Sequence, residues 1–175
     1  MKLVHAIHHC DVFVFNWFMN RKHLDLCTKI SRWISKTGDG YLYFILGLYL
    51  YHSDIPSGRP FLIVALGAFL VERLLYFVLK NGCKRGRPQE ALPNFRSCII
   101  PSDRFSFPSG HTSAAFLMAT LLDFLFPAML WPLYGWASLV GLSRIFLGVH
   151  FPTDVLVGIT IGVTVAALSL RVMIS

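Results

Sequence analysis

Residues 60–80 read PFLIVALGAFLVERLLYFVLK, and this stretch decides the fold. Twenty-one residues in helical conformation extend about 30 Å, the thickness of a bilayer's hydrocarbon core. Only Glu72 and Arg73 interrupt the apolar run, and Lys80 ends it. An ionisable side chain held inside a membrane needs a partner, so Glu72 is expected to pair with a basic residue. Glu72, Tyr76 and Lys80 recur every four residues and share one helical stripe.

Further apolar segments lie on either side. Residues 41–51 form a short one that reaches spanning length only with its flanks, and residues 109–126, 128–148 and 153–174 follow. Pro60, Pro127, Pro132 and Pro152 lie at or near the ends of these segments, where proline is tolerated. The last segment carries Gly158 and Gly162 with Ala166 one turn on. That spacing fits either a small-residue packing face or the ordinary glycine content of membrane helices. Residues 11–36 open aromatic (DVFVFNWFMN) and turn mixed. Leu24, Cys27, Ile30, Trp33 and Ile34 suggest an apolar face, opposite a wet one of Arg21, Lys22, Lys29, Arg32 and Lys36. The expected architecture is all-α: one domain over residues 1–175, an integral membrane bundle of five to six helices with an amphipathic N-terminal segment over residues 1–37.

Composition agrees. The chain is 55% hydrophobic and 14% charged, with a mean hydropathy of +0.59. Its net charge is +7. The basic residues lie between apolar spans and form no single amphipathic face, which argues against nucleic acid and for anionic lipid or substrate. No cleavable secretion signal is evident in residues 1–10. Cys10, Cys27, Cys83 and Cys98 form no C-x-x-C pair. Cys83 and Cys98 bracket one polar loop, so a disulfide is possible in an oxidising compartment and two thiols otherwise. Nothing in the residues specifies an oligomeric state.

Three polar clusters interrupt this apolar chain: Lys80 to Arg87-Pro88, Pro108-Ser109-Gly110-His111, and Ser143-Arg144 with His150 and Asp154. The first leads into the long polar loop of residues 81–108. In the second, Ser109 is suited to cap the apolar helix that follows. Gly110 admits close backbone approach, and a helix N-terminus attracts anions. In the third, Gly148 is suited to end a helix, leaving His150 in a connector with Asp154 in the next first turn. A carboxylate there can orient the imidazole or simply tie two helix ends together. Lys80, Arg87 and Arg144 supply fixed cations of the kind phosphoryl transfer needs. Lys84, Arg85, Arg96 and Arg104 read as interfacial residues that snorkel or touch headgroups. Two helical crossings separate His111 from His150, which brings all three clusters to one membrane face.

Lys80-x6-Arg87-Pro88, Pro108-Ser109-Gly110-His111 and Ser143-Arg144-x5-His150-x3-Asp154 together resemble the three-part signature of the type-2 phosphatidic acid phosphatase superfamily. All eleven specified residues are present, in order. The resemblance implies His150 as nucleophile, Asp154 as its orienting partner and His111 as general acid. It implies Lys80, Arg87, Ser109, Gly110 and Arg144 as phosphate ligands. It implies no metal and no cofactor, which agrees with the absence of a carboxylate cluster suited to Mg2+. The expected function is hydrolysis of a lipid phosphate, with undecaprenyl diphosphate or phosphatidylglycerol phosphate favoured over phosphatidic acid and lipid A 1-phosphate. A lipid phosphotransferase and a non-enzymatic lipid-binding protein are the rival readings. Counting Lys and Arg assigns the polar loop to the cytoplasm. The short chain suggests a bacterial protein, of the inner membrane, and the resemblance instead implies a site on its periplasmic or extracellular face.

Overall fold

The computed structural model of the protein describes residues 2–20, 22, 24–53, 55, 58–101 and 103–174, with side chains described between 6 and 172. The described residues contain helices and no strand. The helices are α1 (Lys2–Met19), α2 (Leu24–Thr37), α3 (Gly40–His52), α4 (Gly58–Cys83), one-turn α5 (Pro88–Ala91), α6 (Gly110–Leu125), α7 (Leu130–Phe146) and α8 (Pro152–Ile174), with a 3-10 turn at Pro127–Met129. Seven of them are long, against the five to six expected. The amphipathic segment accounts for the difference, because it forms two helices and the first begins at Lys2.

Helix α6 is the axis of the bundle. Thr112 to Ala119, Leu121 and Leu122 are all buried, as expected of a helix apolar on every side. Helix α8 packs directly on its backbone. A Cβ added at Gly158 would stand 2.7 Å from the Ser109 carbonyl oxygen, and one at Gly162 only 2.3 Å from that of Ser113. The glycines of α8 are therefore a packing face. Between helices in lipid, such close approach replaces the hydrophobic effect as the source of attraction.

Helix α4 presents two faces. Phe61, Ala65, Ala68, Glu72, Tyr76 and Lys80 are buried, while Ile63, Leu70 and Val78 are more than 60% exposed. An outward row of large aliphatic side chains is what a lipid-facing helix presents. Helices α4 and α8 are long and apolar enough to cross a membrane on their own.

The N-terminal segment joins the core at a specific place. Phe15 of α1 is fully buried, its ring centroid 5.1 Å from that of Phe95 and 5.5 Å from that of Phe151. Helix α2 lies against α7, and its packed face differs from the expected one. Leu24, Cys27 and Ile34 are half-buried, but Ile30 and Trp33 are exposed, and Ser31 and Ser35 are the buried pair. Ser35 is held there by a hydrogen bond from Arg144. Lys29, Arg32 and Lys36 are exposed, as expected; Arg21 lies outside the described residues.

Candidate active site

The polar clusters meet where α4, α6, α7 and the α7–α8 connector converge. Helix α7 ends at Phe146, and Gly148 follows with φ +73°, a left-handed value that turns the chain out of the helix. The turn delivers His150 into the connector, and Pro152 starts α8. Asp154 is fully buried in the first turn of α8, and its backbone carbonyl accepts the Ser109 N–H at 3.0 Å. That bond ties the second cluster to the third.

A cavity of about 500 Å³ opens at this junction, lined by Arg87, Gly110, His111, Arg144 and His150 with Asp39, Arg73, Tyr76 and Asp103. Five of the expected residues therefore share one wall. Lys80 sits one contact further back, its Nζ 2.5 Å from Tyr76 Oη and 2.9 Å from Asp103 Oδ1. Ser109 is wholly buried at the N-cap of α6, but its hydroxyl bonds that of Thr112 at 2.8 Å and does not cap the helix. Gly110 is required by packing as well as by any ligand, since a Cβ there would meet the Tyr76 ring at 2.9 Å.

His150 and Asp154 are paired loosely. Nδ1 of His150 lies 3.7 Å from Asp154 Oδ2, beyond hydrogen-bond reach, and that buried nitrogen has no hydrogen-bond partner. The Asp154 oxygens are taken by Arg85 at 2.8 Å and by the Phe151 N–H at 2.8 Å. The expected imidazole hydrogen bond is thus not formed. Burial pushes the His150 pKa down to about 4, the nearby Asp154 carboxylate opposing and Arg144 reinforcing the shift. A neutral imidazole with Nδ1 turned to the carboxylate leaves Nε2 free for the cavity.

Two of the cations expected to grip phosphate, Lys80 and Arg87, already hold a carboxylate. Asp103 Oδ1 lies 2.6 Å from Arg87 Nη2 and 2.9 Å from Lys80 Nζ. Burial raises the Asp103 pKa, but bonds from Tyr76, Lys80 and Arg87 more than reverse this and hold it at about 2. Arg87 also donates to the Val149 carbonyl at 2.6 Å, and Pro88 at the first position of α5 fixes its extended backbone. Glu72 takes both nitrogens of the Arg73 fork at 2.7 and 2.8 Å and accepts the Ser113 hydroxyl. This is the ion pair that an intramembrane carboxylate demanded.

Several residues here escaped the sequence reading. Asp39, at the N-cap position of α3 between two glycines but making no capping bond, lies 3.1 Å from His111 Nε2. Arg85 is no headgroup ligand: it bridges Asp154 at 2.8 Å and Asp11 at 2.6 Å and donates to Thr153 at 2.7 Å. Asp11 is 2% exposed and also accepts the Thr153 N–H at 2.9 Å. A lone acid at the head of the apolar run of residues 11–20 was the available signal for Asp11. Lys84, Arg96 and Arg104 are exposed, as expected. All four cysteines are free thiols, Cys83 exposed and Cys98 half-buried.

A model of the PAP2 superfamily matches residues 60–174, the region that carries every one of these clusters. The chain belongs to the PAP2 superfamily. Among solved PAP2-related structures, it superposes on Aquifex aeolicus LpxE with a TM-score of 0.81 at 30% identity, covering 91% of this chain and 94% of that one. It superposes on a transmembrane PAP2-type phosphatidylglycerolphosphate phosphatase from Bacillus subtilis with a TM-score of 0.73 at 27% identity, covering 95% and 85%. By sequence it is 36% identical over 114 residues to the decaprenylphosphoryl-5-phosphoribose phosphatase of Mycobacterium tuberculosis, covering 63% of this chain and 59% of that protein. It is 36% identical over 127 residues to the bacitracin transport permease protein BcrC of Bacillus licheniformis, covering 70% and 61%. The chain thus spans about three-fifths of the length of these relatives. Two apolar spanning helices and a transmembrane structural neighbour make this PAP2 protein an integral membrane helical bundle.

Proposed function

We propose that this protein hydrolyses a phosphate monoester or diphosphate carried on a membrane lipid, through a phosphohistidine formed at His150 and without a metal ion. The observation that carries the reading is one cavity lined by His111, His150, Arg87 and Arg144, drawn from three separate segments of the chain. In the first step Nε2 of His150 attacks phosphorus. The N–P bond forms, the P–O bond to the lipid breaks, and the leaving oxygen takes its electron pair and a proton from His111. In the second, His111 removes a proton from water, the water oxygen attacks the phosphohistidine, and inorganic phosphate leaves. Asp154 supports the positive charge that develops on His150. Arg87 and Arg144 line the space that the equatorial oxygens would fill, backed by Lys80, Ser109 and Gly110. Asp103 would release the cations as the phosphate enters.

An apolar groove supports a lipid substrate. About 210 Å³ in volume, it runs between α3 and α4, and Gly40 and Phe69 line both it and the polar cavity. A prenyl or acyl chain in that groove would leave its headgroup beside His111. Undecaprenyl diphosphate and phosphatidylglycerol phosphate are the favoured substrates, in keeping with relatives named for polyprenyl and glycerophospholipid phosphates. The reading assigns the protein to a bacterial inner membrane with the cavity on the periplasmic side. Labelling of the exposed Cys83 by an impermeant reagent in intact cells tests the orientation.

Phosphate release from purified lipids in detergent, with EDTA and no added acceptor, tests the chemistry. His150→Ala is expected to abolish it while the protein stays folded. Undiminished release by that variant refutes the nucleophile, and substrate consumed only when an acceptor lipid is supplied, with the phosphoryl group recovered on that lipid and no inorganic phosphate, refutes hydrolysis.

A further inference from the structure

A second cavity, of about 660 Å³, adjoins the first. Asp39, His111 and Arg144 line both, whereas His150 lines only the first. Its outer wall is the basic face of α2, where Lys29, Arg32 and Lys36 recur at helical spacing.

Apart from Arg144, which lines both cavities, the cations at the first are matched by carboxylates. Lys80 and Arg87 have Asp103, and Arg73 has Glu72; behind them Arg85 has Asp11 and Asp154. Among the described residues, Lys29, Lys36 and Arg144 have no carboxylate within ion-pair distance, and Arg32 is bonded only to the Cys98 carbonyl, at 2.6 Å. Arg144 is 5% exposed, and its buried Nε has no hydrogen-bond partner. A buried guanidinium with an open donor, facing three surface cations across a cavity, is a site short of negative charge.

The direction of the reaction indicates what would fill it. His111 protonates the leaving oxygen, so the remainder of the substrate lies on the His111 side, away from His150. That side is the second cavity. A neutral alcohol would gain nothing from its cations, whereas a second phosphate would be bound by them.

We propose that the cavity between α2 and Arg144 is a second anion subsite, which holds the phosphate on the leaving-group side of a lipid diphosphate or the phosphodiester of a lipid bisphosphate. The proposal rests on the phosphatase reading and narrows its substrate class: lipids with two phosphates are preferred over those with one. Arg144 would touch both phosphates, and Lys29 and Lys36 only the second.

The test uses the full chain in dodecyl maltoside with farnesyl diphosphate and farnesyl phosphate, which share one tail. The wild type is expected to favour the diphosphate in kcat/KM. In Lys29→Gln/Lys36→Gln the ratio of the two kcat/KM values is expected to fall about tenfold, through a higher KM for the diphosphate. The ratio does not depend on how much of the variant is folded. A ratio that stays within about twofold of wild type overturns the proposal. The lysines would then serve the fold or bind anionic lipid in general, and only in the second case does added phosphatidylglycerol affect both substrates alike. A wild type that releases phosphate from neither substrate refutes the phosphatase reading itself, and this inference with it.

Discussion

Arg85 offers the sharpest test of how the N-terminal helix is joined to the rest of the bundle. Its guanidinium reaches Asp11 at 2.6 Å and Asp154 at 2.8 Å, and both carboxylates are at most 1% exposed. Arg85→Gln leaves two buried acids without their shared cation, and breaking such a pair from one side costs about 3–5 kcal/mol. Asp11→Asn leaves Arg85 its contact with Asp154 but disturbs the oxygen that Arg85 and the Thr153 hydroxyl share, so the cost is at least that of one charged hydrogen bond, about 1.5–3 kcal/mol. In the double variant the Arg85–Asp11 contact is lost only once. Its cost is therefore expected to fall short of the sum of the single costs by at least about 1 kcal/mol. Equilibrium unfolding in mixed micelles of dodecyl maltoside and SDS, followed by tryptophan fluorescence, measures all three. An Arg85→Gln cost below about 1 kcal/mol would show an ordinary exposed ion pair. Costs that add to within about 0.5 kcal/mol would show that the two residues do not interact.

Other consequences follow from the same geometry. His150 has its pKa depressed to about 4 in the folded state, so between its ordinary 6.5 and 4 the unfolded chain binds the extra proton. Wild-type stability should therefore fall, relative to His150→Gln, as pH drops through that window, by up to about 1.4 kcal/mol per pH unit; parallel unfolding profiles would contradict this. Over the same window the acid limb of kcat/KM should lie nearer 4 than 6.5. His111→Ala should lower lipid hydrolysis about 10²- to 10⁴-fold but p-nitrophenyl phosphate hydrolysis far less, because that leaving group needs no proton; equal losses would remove the general-acid role. Gly162→Leu drives a Cβ into the Ser113 carbonyl and should cost about 1–3 kcal/mol or more. It should also lower activity by shifting Asp154 from Ser109, and an unchanged melting temperature would show that α6 and α8 are not in contact there.

Much of this protein follows from local patterns. Runs such as residues 60–80 are long and apolar, and a helix satisfies its own backbone wherever such a run lies in lipid. The helices over these runs were legible for that reason, and so were the end of α7 just before Gly148 and the start of α8 at Pro152. The three clusters were legible because each is a contiguous block of expensive polar residues in an apolar chain. Other features depended on which helix lies beside which. Gly158 and Gly162 become a contact only because α8 rests on the α6 backbone. Ser31 and Ser35, and not Ile30 and Trp33, form the buried face of α2 against α7, where Ser35 accepts a hydrogen bond from Arg144.

The charge pairing was the least legible part. Asp11 and Arg85 are separated by 74 positions and Asp39 and His111 by 72, and no periodicity relates such residues. The amino-acid order alone determined which groups are present and on which helical stripe or loop each sits, because those are consequences of spacing. Packing alone decided which acid neutralises which base, and which cations of α2 and α7 have none. Electrostatic pairing acts over a few ångströms of space and takes no account of distance along the chain.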